Sequence, residues 1–305
     1  MTASQIPAAG ASGAPGGPGG LGALGALGAP GAAGGPGAAE APGPAVPSWP
    51  VRARDVLTFE WTKLRSVRSN RWTLLIAAVV TLGVTAIVAQ SLASAPASGQ
   101  RNPIDPLAGS FLGFAEYTVL PVTVLSVLVF TSEYASGLIR STFAAVPRRL
   151  AVLAAKAAVT GAAAFSVGVL LALACFFLTQ AILSSSHGGL SFSHPGVPGA
   201  VLAAGFALAV SAVVGVGVGA IIRHTAGAIA AAVILVYLLA VLCLVLPAPW
   251  NTRLGRFTLP FAAYQAVTLH PKAGLLSPGL SVLVLAAWPA VTLLVAGALI
   301  VRRDV

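Results

Sequence analysis

The chain has 305 residues, of which 57% are hydrophobic and only 8% charged, whereas soluble domains carry roughly a quarter charged residues. A soluble fold of this composition could not cover its own surface, which excludes a water-soluble enzyme or binding module. The net charge of +10 does not mark a nucleic-acid binder, because the basic residues cluster beside apolar runs, as the positive-inside rule requires, and no soluble domain remains to present them to phosphates.

Residues 1–50 carry glycine at every third position from Gly10 to Gly37, with Pro15, Pro18, Pro30 and Pro36 among them. The repeat matches a collagen triplet in form. A short, uncharged Gly/Ala/Pro run that ends at Glu40 is better read as a disordered low-complexity tail, unable to bury enough surface to offset its ordering entropy. It has no basic n-region and no sustained apolar stretch, so it is not expected to be a signal peptide.

From Val51 to Ser69 the pattern becomes helical, with Ala53, Val56, Leu57, Trp61, Leu64 and Val67 at near-helical spacing and Asp55, Thr58, Thr62 and Arg65 on another side. A basic amphipathic segment before a span, with Trp61 and Trp72 as anchors, is expected to lie along the cytoplasmic membrane surface. Six apolar runs follow within one membrane domain, 51–305: about Trp72–Ala93, Phe111–Phe130, Ala157–Leu183, Pro198–Ile222, Thr225–Leu246 and Leu280–Val301. Each approaches or exceeds the ~20 residues needed to cross a bilayer. The predicted fold is therefore an all-α integral membrane protein of six transmembrane helices. With both termini in the cytoplasm, only Arg101, Arg253, Arg256 and Lys272 of the seventeen basic residues fall outside, which fixes the orientation expected at the cell membrane. Between the last two spans, Pro247–Gly279 is apolar and proline-rich, but its segment Phe257–Leu269 is too short to cross; a re-entrant or interfacial hairpin is expected, with a surface loop as the alternative.

Catalytic chemistry is missing from the pattern. No Gly-x-x-x-x-Gly-Lys-Ser/Thr run occurs, so no nucleotide cradle and no bound cofactor are expected. Gly215, Gly217 and Gly219 lie inside a span and read as close-packing positions. His187, His194, His224 and His270 lack the spacing of a metal site, and Cys175 and Cys243 lie in apolar runs and read as packing residues. Within the spans only Glu116 is acidic. It is either a carboxylate reaching the outer headgroups or a pathway residue beside a kink at Pro121, and with no other midplane ligand an ion-coupled carrier is disfavoured.

The cytoplasmic loop Thr131–Lys156 has the most pattern. Glu133, Ser136, Gly137 and Arg140 fall at i, i+3, i+4 and i+7 of a short helix, which predicts a polar face toward the cytosol suited to docking a soluble partner. A solvated basic turn is the alternative. Pro147 then breaks the helix, Arg148 and Arg149 follow, and Lys156 is expected to snorkel back to the interface.

The run Glu60-Trp61-Thr62-Lys63-Leu64-Arg65-Ser66, then Arg71-Trp72-Thr73-Leu74, the loop Ser132-Glu133-Tyr134-Ala135-Ser136-Gly137-Leu138-Ile139-Arg140-Ser141, and Pro147-Arg148-Arg149 ahead of Lys156 resemble the type-2, exporter-like permeases of ATP-binding cassette transporters, particularly actinobacterial ones. The resemblance covers about residues 51–305. It implies a non-enzymatic six-span subunit whose interfacial helix (Glu60, Trp61, Lys63, Arg65) and first cytoplasmic loop contact a separate ATPase, with two permease subunits, identical or related, forming the pathway. The matching loop positions are Glu133, Gly137, Arg140, Pro147, Arg148 and Lys156. Apolar spans fit an amphipathic or lipophilic cargo. The rival readings are a non-transporting membrane anchor or regulatory subunit and, less favoured, the ion-coupled carrier.

Overall fold

The computed structural model describes residues 53–66, 68–94, 106–145, 149–184, 190–268 and 274–302. The tail at 1–50, Pro147 and Arg148 lie outside them. The described residues form helices, with no strand among them, and five helices are long and apolar enough to cross a membrane. In chain order these are α2 (Arg68–Ala93), α7 (Arg149–Leu183), α8 (Val197–Ile222), the segment Thr225–Val245, and α13 (Pro278–Arg302). The chain thus has the architecture of an all-α, multi-pass membrane protein.

The sequence predicts a span at Phe111–Phe130, but this region is broken into α3 (Pro106–Ser110), α4 (Leu112–Tyr117) and α5 (Val119–Ala135). The helical run is interrupted at Thr118, the residue that joins α4 to α5, three residues before Pro121. Proline lacks the N–H that would bond four residues back, so Pro121, in the first turn of α5, leaves the Tyr117 carbonyl without its helical donor, whereas Pro289 lies inside α13, Pro278–Arg302. The Thr118 hydroxyl is satisfied across the bundle by Thr81 of α2, Oγ1 to Oγ1 2.7 Å. One turn further along, the Thr85 hydroxyl donates to Cys175 Sγ of α7 at 3.5 Å. Ala77, Thr81, Thr85 and Ala89 recur every fourth residue and form the buried stripe of α2.

At the centre stands α8, which touches α5, α7, α12 (Leu259–Val267) and α13. Its buried face is almost entirely alanine, glycine, serine and valine. Membrane helices gain little from the hydrophobic effect against one another and depend on close packing, which small residues permit. A Cβ on Gly168 of α7 would lie 2.9 Å from Gly205 Cα of α8, and one on Gly215 would lie 2.7 Å from the Thr123 carbonyl oxygen of α5. Gly217 meets Thr292 of α13 in the same way, and Gly219 meets the Val127 carbonyl. These glycines are packing positions, and no strand precedes them to make a dinucleotide turn.

The crossing segment Thr225–Val245 is not uniform: α9 (Thr225–Val233) passes through a π-helical turn at Ile234–Leu238 before α10 (Leu239–Val245). His224 caps α9, its Nδ1 accepting from Gly227 N at 3.3 Å. The stretch Pro247–Gly279 contains α11 (Trp250–Gly255) and α12, six and nine residues long. At 1.5 Å per residue, α12 spans about 14 Å, half the ~30 Å of a hydrocarbon core. Gln265 holds α12 in place. Its Nε2 donates to the Arg256 and Phe261 carbonyls at 3.1 and 2.9 Å, and its Oε1 accepts from Leu276 N at 2.6 Å.

Candidate functional site

The densest polar construction in the described residues lies where α1 (Ala53–Ser66) meets the ends of α5 and α7. The α1 helix carries Asp55 in its first turn and Lys63 and Arg65 in its last, the arrangement its macrodipole favours. The face turned to the bundle is formed by Val56, Glu60, Lys63 and Leu64, while Leu57, Phe59 and Trp61 are exposed. Glu60 is therefore buried on a helix that otherwise lies at the edge of the fold.

Three buried charges meet there. Lys156, in the second full turn of α7, is completely buried, Glu133 near the end of α5 is 1% exposed, and Glu60 is 2% exposed. Lys156 Nζ donates to Glu60 Oε1 and Oε2 at 3.0 and 2.8 Å and to Glu133 Oε1 at 2.5 Å. Lys63 Nζ, partly open to solvent, bonds the same Glu133 oxygen. Two carboxylates and two ammonium groups thus form a neutral chain, Glu60–Lys156–Glu133–Lys63, that staples three helices. Glu133 Oε2 is buried without a hydrogen-bond partner. Burying charges costs several kcal/mol per ion, repaid only when each finds partners of good geometry, so this cluster persists only while all three helices keep their places.

The arrangement corrects two expectations. Glu133 does not share an exposed face with Gly137 and Arg140: it points into the ion cluster. The helix assumed for that spacing stops between them, because Gly137 adopts φ +73°, and α6 (Leu138–Ala145) restarts on a new axis. The Ser136 N–H closes α5 onto the Ser132 carbonyl at 3.0 Å and the Gly137 N–H bonds the Tyr134 carbonyl at 3.2 Å, a left-handed C-terminal cap of the kind glycine provides. Lys156 does not snorkel outward either. Its amine is drawn inward because two carboxylates satisfy it there.

The remaining predicted positions are scattered around this cluster. Arg140 is exposed on α6 and Gly137 is exposed at the turn. Trp61 and Arg65 are exposed on α1. Glu116 belongs to α4, with its side chain outside what the structure describes, and Pro121 is half-buried at the start of α5. The structure therefore gathers Glu60, Lys63, Glu133 and Lys156 and leaves the other predicted positions outside the cluster. A second polar feature at the same end is Arg223, the left-handed cap of α8 at φ +62°, whose guanidinium lies 5.2 Å from the Tyr134 ring centroid, within cation–π range. Among the described residues no three of His, Cys, Asp and Glu come together to hold a metal ion.

Fold and site define the class: a polytopic helical membrane protein with a buried ion cluster clamping a short helix at the edge of its fold. No protein-family model matches this chain, and no curated protein is significantly similar to it.

Proposed function

We propose that this chain is the transmembrane permease subunit of an ATP-binding cassette transporter, powered by a separate ATPase and paired with a second permease subunit, its own copy or a related chain. The ion cluster carries the reading. The motif resemblance assigns ATPase contact to two segments, the α1 helix and the loop after α5, and the bonds of Glu60 and Lys63 to Lys156 and Glu133 join α1, and the end of α5 that leads into that loop, to α7. A displacement applied to either segment from the cytosol is passed to a 35-residue helix. A simple membrane anchor has no use for such a linkage, which costs desolvation without being needed to hold spans in a bilayer.

In this reading α3–α5 together make the second of six crossings, both termini face the cytoplasm, and the protein resides in the cell membrane. Exposed Arg140 on α6, rather than buried Glu133, meets the ATPase. The chain supplies no catalysis, and the cargo is an amphipathic or lipophilic compound moved outward.

The test is co-purification of the tagged full chain from its native membranes in mild detergent with a non-hydrolysable ATP analogue, followed by ATPase assay of the recovered complex. The reading expects a P-loop protein whose recovery is lost with Arg140→Glu while the variant chain keeps its thermal stability. Recovery of the chain alone across several detergents, or a complex indifferent to Arg140→Glu, refutes it in favour of an anchor.

A further inference from the structure

Beside the ion cluster, α1, α2, α5 and α7 enclose a cleft of about 340 Å³, within the size range of small-ligand sites. Its mouth carries Arg65, Asn70 and Arg71, and its wall is apolar, with Leu74 from α2, Leu125 from α5 and Val167 from α7. Trp61 stands at the rim, half-exposed. A smaller cavity of about 260 Å³ shares Leu64, Asn70, Leu125 and Val129 with the cleft and reaches Glu60 and Lys63. The space therefore runs along the underside of α1 from the ion cluster to the apolar mid-section of the bundle.

Two observations show that the cleft is built for an occupant with a polar part. Thr160 of α7 lines it, is 6% exposed, and its hydroxyl has no hydrogen-bond partner; a buried hydroxyl left unsatisfied is destabilising unless something in the cleft accepts its hydrogen bond. Arg65 and Arg71, both exposed, are in no ion pair among the described residues. An apolar helix of a partner or of a second copy would answer the wall but leave two guanidinium groups against hydrocarbon. A soluble anion would answer the arginines but leave Leu74, Leu125 and Val167 wet.

We propose that the cleft is a binding site for one anionic phospholipid drawn from the surrounding bilayer. Its phosphate meets Arg65 and Arg71, an ester carbonyl accepts from the Thr160 hydroxyl, and an acyl chain lies on the apolar wall. Basic pockets between membrane helices take anionic headgroups for this electrostatic reason, and Trp61 suits the rim because indole prefers the headgroup level. The bound lipid wedges α1 against α5 and α7 and so supports the ion cluster from the membrane side. The site stands whether or not an ATPase drives the chain.

The experiment is native mass spectrometry of the delipidated full chain, titrated separately with phosphatidylglycerol, with phosphatidylcholine of the same acyl chains, and with glycerol 3-phosphate. One phosphatidylglycerol per chain is expected to bind about tenfold or more tightly than phosphatidylcholine, on the scale of two surface cations acting on an anionic headgroup, and glycerol 3-phosphate is expected not to displace it. Arg65→Gln with Arg71→Gln abolishes the preference, and Arg65→Lys with Arg71→Lys keeps it. Thr160→Leu, which retains both arginines, lowers the affinity for both lipids severalfold and carries the test if the double glutamine variant fails to purify. Equal affinity for the two lipids, a preference that survives the glutamine variant, or unchanged binding in Thr160→Leu overturns the proposal. Displacement by glycerol 3-phosphate also overturns it, identifying a soluble-anion site.

Discussion

Replacing Lys156 with methionine keeps most of the side chain's length and apolar bulk while deleting the ammonium that Glu60 and Glu133 share. Glu60 then has no cationic partner among the bonds of the cluster, and Glu133 keeps only Lys63, whose side chain is 32% exposed. Removing one member of a buried ion set costs about 3–5 kcal/mol, chiefly because the remaining charge is stranded without water. At roughly 2–4 °C per kcal/mol for chains of 150–250 residues, even the lower figure moves the unfolding midpoint down by about 6–12 °C. The assay is scanning fluorimetry of the purified chain in detergent, read on its tryptophans. The informative companion is the triple variant Glu60→Gln, Glu133→Gln, Lys156→Met, which strands no carboxylate and leaves Lys63 free to reach solvent. It is expected to recover most of the loss, since neutral replacements of buried ion sets are often as stable as the original. A Lys156→Met midpoint within a degree of the parent, or a triple variant no better than the single, would refute the account of the cluster as a mutually dependent set.

Three further outcomes follow from the packing and the turns. Gly168→Ala places a Cβ 2.9 Å from Gly205 Cα, so α7 and α8 must separate at a cost of about 1–3 kcal/mol; Gly83→Ala on α2, with nothing within 4 Å, is expected to gain up to about 1 kcal/mol of helix propensity, and the two midpoints should move in opposite directions. Gly137→Ala meets no atom within 4 Å but must hold φ +73°, which costs about 1–2 kcal/mol through the backbone alone, and Gly137→Asn should cost less; equal midpoints for alanine and asparagine would count against a left-handed cap. Gln265→Leu strands the Leu276 N–H and relieves the Arg256 and Phe261 carbonyls of their donor, so amide exchange should rise in α12 and at Leu276 while α7 and α8 stay protected; uniform exchange across the chain would contradict that local role.

Much of the helical architecture was legible because hydropathy reports it directly: the runs starting near Trp72, Ala157, Pro198, Thr225 and Leu280 each correspond to a helix long enough to cross. The run expected at Phe111–Phe130 was less legible. It holds Glu116, the one acidic residue of the six runs, together with Pro121, and Thr118 at its break finds a hydroxyl partner in Thr81 thirty-seven positions away, a non-local bond that no window along the chain reveals. The site was misread for a related reason. Glu133 and Lys156 look like surface charges in sequence because their partners come from other helices. A local signal did exist for Glu60: it lies four residues after Val56, three after Leu57 and four before Leu64, on the apolar stripe of α1. A charge on that stripe predicts a buried partner. Reading the stripe through Leu57 and Trp61 put its centre one position off, since those two side chains are exposed.

The geometry also bears on where motion could go under the proposed function. With 35 residues, α7 is about 52 Å long at 1.5 Å per residue, well beyond the ~30 Å hydrocarbon core. Lys156 lies about 10 Å from its start on the same rise, so the ion cluster grips α7 near its N-terminal end. The helix contains no proline, and at Gly168 its backbone is pressed against Gly205 of α8, so a push on α1 cannot be absorbed by a bend in α7. It must move α7 and α8 together. The same contacts through Gly215 and Gly219 couple α5 to α8, which leaves compliance to the elements whose backbone ladder is already interrupted: the α3–α4–α5 series with its break at Thr118, the π turn at Ile234–Leu238, and α13 at Pro289. Interrupted ladders of this kind are where membrane helices hinge at least cost. A permease driven from α1 would therefore open by folding at those interruptions around a rigid α5–α7–α8 block.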